Sequence, residues 1–132
     1  MKGVKMTITK PIYVDVVRKS LFPEIVAKQG DLNSRFLKII FQNDGVQIFI
    51  ENTNTVQINA TRPDGESDSF NGTINQDGTV TVPLTQWMLA LAGTVSCDVS
   101  VTSEDFKLTT ATFRIGVEKA SYTGSAISPE EE

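Results

Sequence analysis

The chain has 132 residues, with 12 Lys and Arg against 16 Asp and Glu for a net charge of −4, and it contains no histidine. One domain of this length buries roughly 65–70% of its unfolded surface, and 39% apolar with 21% charged residues is the balance of a globular chain rather than a disordered one. Without imidazole there is no Ser–His–Asp or Cys–His nucleophile, one cysteine makes no intrachain disulfide, and an acidic balance argues against a nucleic-acid partner, whose phosphates need a basic surface.

Residues 1–11, MKGVKMTITKP, carry lysines but no apolar run behind them, which is neither a signal peptide nor a membrane anchor. No stretch reaches the ~18 apolar residues of a spanning helix, so no membrane partner is expected. Residues 1–10 read as an N-terminal arm and 11–119 as one β domain. The first strand has Ile12, Val14 and Val16 on one face. Next comes the run Lys28-Gln29-Gly30-Asp31-Leu32-Asn33-Ser34-Arg35. In it Asp31, Asn33 and Ser34 can bond local backbone and hold the entry to a strand. Arg35 is the one candidate binding residue, suited either to a local structural bond or to a salt bridge with a partner.

Period-two alternation then dominates. Leu37, Ile39 and Phe41 share a face, as do Val46, Ile48 and Ile50, then Val56, Ile58 and Ala60, then Val80, Val82 and Leu84. Residues 94–101 place Val95, Cys97, Val99 and Val101 inward, and residues 110–117 place Ala111, Phe113, Ile115 and Val117 inward with Thr110, Thr112 and Arg114 outward. Asn43-Asp44-Gly45, Arg62-Pro63-Asp64-Gly65 and Gln76-Asp77-Gly78 fall between these runs, and Asp-Gly supplies the positive φ of tight turns. Strands about every ten residues, each with one wet face, predict antiparallel sheets in a sandwich or barrel. One segment departs from this period: Leu84, Trp87, Met88 and Leu91 are at helical spacing between Thr85 and Gly93. That predicts one short helix over 85–91. The end, residues 120–132, is small, polar and finally acidic, and reads as a flexible tail.

No constellation signals chemistry. Asp64, Glu66 and Asp68 alternate, but the loop lacks the glycine and the later bidentate glutamate of a calcium site. Asn59-Ala60-Thr61 and Asn71-Gly72-Thr73 match the glycosylation sequon, which is too common to count without a secretion signal. Cys97 faces inward with no basic group near it in sequence, the setting of an inert buried thiol. Trp87 shares a helical face with Leu84 and Leu91, which favours core packing over stacking a sugar. Sixteen acids always offer carboxylate pairs, and nothing singles one out for glycoside hydrolysis. No enzymatic activity and no cofactor are therefore expected. Edge strands remain as docking rails, with residues 1–10 and the acidic tail as candidates for strand exchange.

The run from Lys28 to Arg35 followed by FLKIIFQNDGVQI, then VQINATRPDG, then NQDGTVTVPLTQWMLALAG, then TATFRIGVEKA, resembles the N-terminal domain of the phage baseplate upper protein family over roughly residues 10–120. The combination of a DG turn, a strand, Leu-Thr-x-x-Met-Leu and a glycine is its most specific part. The resemblance implies an immunoglobulin-like antiparallel β-sandwich and a structural, non-enzymatic role in a tailed-phage or prophage baseplate. It also implies a distal tail hub as partner, a place in the virion tail and synthesis in the host cytoplasm. The sequence shows no heptads after the sandwich, so of the family's roles only hub docking carries over; homo-oligomer formation stays open. The other reading is a carbohydrate-binding or adhesion module that stacks a host-surface glycan on Trp87, Tyr13 or Tyr122.

Overall fold

The computed structural model describes residues 7–17, 25–110 and 112–120. In them the chain forms eleven strands: β1 Ile8–Asp15, β2 Ile25–Lys28, β3 Arg35–Asn43, β4 Val46–Gln47, β5 Thr55–Thr61, β6 Ser67–Asn71, β7 Thr73–Ile74, β8 Val80–Pro83, β9 Gly93–Thr102, β10 Lys107–Thr109 and β11 Phe113–Glu118. One sheet has the order β1-β3-β8-β7, with β4 added to β3; the other has the order β2-β11-β9-β5-β6, with β10 added to β9. The alternating apolar residues of both sheets meet in one core built on Ile12, Leu37, Phe41, Ile58, Phe113 and Ile115. Packing two half-wet sheets face to face is the solution their period predicts.

Four expectations are corrected. The sheets are mixed rather than antiparallel, because β1 runs parallel to β3 and β2 parallel to β11. Alternation reports which face a side chain takes, not strand direction. The expected helix at 85–91 is a single turn, and no helix occurs among the described residues. Its start is as read: Thr85 Oγ1 accepts the Met88 N–H at 3.2 Å, and the Leu89 N–H reaches the Thr85 carbonyl at 3.1 Å. It does not propagate, since one bonded turn does not offset the entropy of nucleation. Met88 and Leu89 are pulled fully into the core instead.

The third correction concerns residues 110–117. They are not one strand, because the register against β9 shifts by one residue between β10 and β11. This one-residue offset between the flanking strands is a bulge; Thr110, expected outward, turns inward, buried, and Ala111 lies outside the described residues. Val46 likewise stands exposed at the hairpin tip, where the alternation placed it inward with Ile48 and Ile50. No helix of the described residues is long and apolar enough to cross a membrane.

Candidate functional site

Three of the motifs that stood out in the sequence gather at one end of the sandwich. β3 and β5 run in opposite senses relative to this end, so residues 29–34 before β3, 62–66 after β5 and 84–92 before β9 all emerge there. Gly30, at φ 88°, and Asn33, at φ 56°, take the left-handed backbone that glycine and asparagine tolerate. The Gly30 N–H then reaches the Leu89 carbonyl at 2.9 Å, and the Gln29 N–H reaches that of Glu118 at 2.8 Å. Gln29 Nε2 donates to the Ala90 carbonyl at 3.1 Å, and Gln29 Oε1 accepts from the Ala120 N–H at 3.3 Å. One glutamine thus ties the 84–92 turn to the chain leaving β11.

Arg35 is held by the same loop. Its Nε lies 2.5 Å from Asp31 Oδ2, both side chains being about a quarter exposed. Nη1 reaches the Val26 carbonyl on the edge strand β2 at 3.4 Å. Its backbone carbonyl accepts the Leu84 N–H at 2.9 Å. The guanidinium therefore bridges the entry of one sheet and the outermost described strand of the other, and part of its surface stays open to solvent.

Arg62, which sequence reasoning passed over except as part of a turn, is the other organising cation. Its Nη2 pairs with Asp64 Oδ2 at 2.7 Å, Nη1 donates to the Trp87 carbonyl at 3.3 Å, and the guanidinium carbon sits 4.7 Å from the Trp87 ring centroid. Cation–π attraction and the ion pair act together. The bond to Asp64 raises the Arg62 pKa, and the bond from Arg62 lowers that of Asp64, so both stay charged and neither is poised for proton transfer. No local signal links residues 62 and 87; the sheets bring them together.

The glycan reading finds little at its named aromatics. Trp87 packs against the core and carries Arg62 over its ring. Tyr13 is 56% exposed on β1, and Tyr122 lies outside the described residues, as does the acidic tail beyond Ala120. Cys97 is buried, and burial pushes its thiol up to about 12, which leaves it protonated and inert at neutral pH. No group of three or more metal-ligating side chains occurs among the described residues.

The outer face of the sheet containing β5 and β9 is a polar lattice. Asn59 Nδ2 donates to Asp98 Oδ1 at 2.8 Å, Ser69 Oγ donates to Asn59 Oδ1 at 2.9 Å, and Ser100 Oγ lies 3.1 Å from Thr109 Oγ1. A shallow depression of about 240 Å³ lies over it. These groups satisfy one another across strands.

Comparison with known proteins completes the picture. The sequence matches the BppU N-terminal domain family over residues 8–132. No curated protein sequence matches it. Among solved structures, the N-terminal domain of phage TP901-1 ORF48 is similar with a TM-score of 0.67 at 15% identity, over 84% of this chain and 98% of that one. That likeness bears on the fold alone.

Proposed function

We propose that this chain, which belongs to the family of baseplate upper protein (BppU) N-terminal domains, attaches to the distal tail hub during virion assembly. The family is one of phage baseplate structural proteins, so the chain is a virion tail component that contacts other tail or baseplate proteins. The hub as the specific partner, an immunoglobulin-like strand arrangement and a purely non-enzymatic role are our reading. The observation that carries it is the family match across residues 8–132.

The loop end fits such a task. Its three loops are locked by backbone hydrogen bonds and two ion pairs, so little ordering entropy is lost on docking. Arg35, anchored by Asp31 and still partly exposed, is our candidate contact for a carboxylate or carbonyl of the hub. Size-exclusion chromatography with light scattering tests the reading, on the chain alone and mixed with the tail-hub protein of the same phage. Co-elution at fixed stoichiometry is the expected result. Separate elution of two folded proteins refutes hub docking and leaves family and fold untouched.

A further inference from the structure

Each sheet of a sandwich ends in edge strands, whose outward N–H and C=O groups can take up a further strand. Most edges of this protein are closed by their own residues. Along β1 the Ile8 N–H bonds the Ser34 carbonyl at 2.7 Å and the Val16 N–H bonds that of Gln42 at 2.8 Å. Parallel pairing turns alternate residues to the partner, so Pro11 lies at an outward position and removes a donor from the middle of the edge. On β8 the bond from the Leu84 N–H to the Arg35 carbonyl turns Pro83 outward in the same way, and β7 covers Val80 and Thr81. On β2 the outward carbonyls of Val26 and Lys28 accept Arg35 Nη1 at 3.4 Å and the Asp31 N–H at 3.2 Å. β10 is only three residues long.

β6 is different. It has five residues and no proline. At one end of its pairing with β5 the Arg62 N–H bonds the Glu66 carbonyl at 2.8 Å, and at the other the Gly72 N–H bonds the Val56 carbonyl at 3.0 Å. Antiparallel pairs alternate between bonded and non-bonded. Asp68 and Phe70 therefore turn their backbone groups to β5, and Ser67, Ser69 and Asn71 turn theirs outward. The one guard on this edge is Asp68, whose Oδ1 accepts the outward Ser69 N–H at 2.9 Å. Phe70 packs on the core and Ser69 Oγ bonds Asn59 on the outer face, so alternation puts Asp68 on the Phe70 side. Neither Asp68 nor Glu66 has a salt bridge among the described residues. An apolar strand added here would leave those acids unpaired and partly desolvated. A strand that brings a cation beside Asp68 draws its carboxylate away and frees the Ser69 N–H for pairing.

The chain itself carries such a strand. Residues 1–6, Met1-Lys2-Gly3-Val4-Lys5-Met6, hold two lysines and no acid and lie outside the described residues. Lys2 and Val4 have the same two-residue spacing as Asp68 and Phe70. The segment precedes β1, at the opposite side of the sandwich from β6. Three strand spacings separate β1 from β7, about 14 Å, and the step between sheets adds ~10 Å. Six residues reach at most ~20 Å, so the segment of the same chain has at most a residue or two left to pair.

We infer that β6 receives residues 1–6 of a second copy, added as a parallel edge strand with Lys2 beside Asp68 and Val4 beside Phe70. This is the sense in which β1 joins β3 and β2 joins β11. The donated and receiving surfaces differ, so the exchange is head to tail and closes into a ring or runs on as a row of copies. It stands apart from hub docking and is tested on the chain alone.

Sedimentation velocity and amide shifts of the full 15N-labelled chain, from about 0.05 to about 1 mM, cover the range of a weak contact. The mean mass should rise with concentration, with saturable shifts of the Ser67, Ser69 and Asn71 amides. Lys2→Asp and Asp68→Lys each reverse one charge and should weaken association about threefold to tenfold. Both changes in one chain restore the pair and most of the affinity. A peptide of residues 1–7 should compete. The proposal is overturned by a chain that stays monomeric with unmoved amides, or by a combined variant, folded by the rest of its spectrum, that associates no better than the single ones. Association that neither Lys2→Asp nor the peptide weakens also overturns it, and assigns the edge to pairing between two β6 strands.

Discussion

Asp77 shows how much of a turn can rest on one carboxylate. Its Oδ1 accepts the Thr79 hydroxyl at 2.6 Å and the Thr79 N–H at 3.1 Å, while Oδ2 pairs with Lys38 Nζ at 3.1 Å. The Thr79 hydroxyl, then Lys38, hold its pKa down to about 2. A carboxyl depressed on folding contributes stability that is complete above its unfolded value of ~3.9 and is lost as pH falls through the folded value. Asp77→Asn should therefore lower the urea midpoint at pH 7. The gap to the parent should close between about pH 4 and pH 2, because protonated Asp77 carries no more charge than Asn. A gap that stays constant down to pH 2 would assign the effect to acceptor geometry instead. The Asp-Gly turn itself is legible in the sequence because its chemistry is local. Its tie to Lys38 is not, nor is that of Arg62 to Trp87, because each partner arrives from a distant strand.

Among elements, legibility follows length and contrast. β5 and β8 alternate cleanly, β9 does so up to the buried Ser100, and their inward residues are as read. β2 has four residues, and β6, Ser67–Asn71, presents a largely exposed polar edge; neither offers the apolar contrast that period-two reading needs. The single turn at 85–91 shows the converse: a sound cap and a helical pattern, defeated by shortness and by the pull of Met88 and Leu89 into the core. The bulge between β10 and β11 is the most instructive miss. Thr110 stands in for a strand residue there, its N–H donating to the Val99 carbonyl at 2.9 Å and its Oγ1 accepting the Val99 N–H at 3.0 Å. Thr110→Val keeps the shape but leaves the buried Val99 N–H without its acceptor, which costs about 1–3 kcal/mol. Thr110→Ser keeps the hydroxyl and should recover most of that loss. Urea unfolding followed by Trp87 fluorescence distinguishes the two. A Thr110→Val variant as stable as the parent, with the loss falling on Thr110→Ser, would mean that the methyl, not the hydrogen bond, holds the bulge.

At the scale of the whole molecule the parallel pairings matter most, and period-two patterning is silent about them. The N-terminal segment supplies an edge strand to each sheet, β1 beside β3 and β2 beside β11, and so straps the two together. All eight residues of β1 pair with β3, with Ile12 and Val14 fully buried. At the last pair, Asp15 accepts the N–H groups of Asp44 and Gly45 at 3.1 and 2.7 Å and so fixes the β3–β4 turn. Two buried aliphatic side chains are worth about 3–6 kcal/mol, against a total of about 5–15 kcal/mol for a domain of this kind. A chain lacking residues 1–17 should thus fall close to the threshold of folding, and it would also open the edge of β3, whose outward N–H and C=O groups then seek another strand. The expected results are a much lower urea midpoint and light scattering that grows with protein concentration, both reversed by adding a peptide of residues 7–17 that refills the vacant edge. A truncated chain that stays monomeric with the parental midpoint would show that β1 is an accessory of the fold, and that the sheets are joined by their shared core alone.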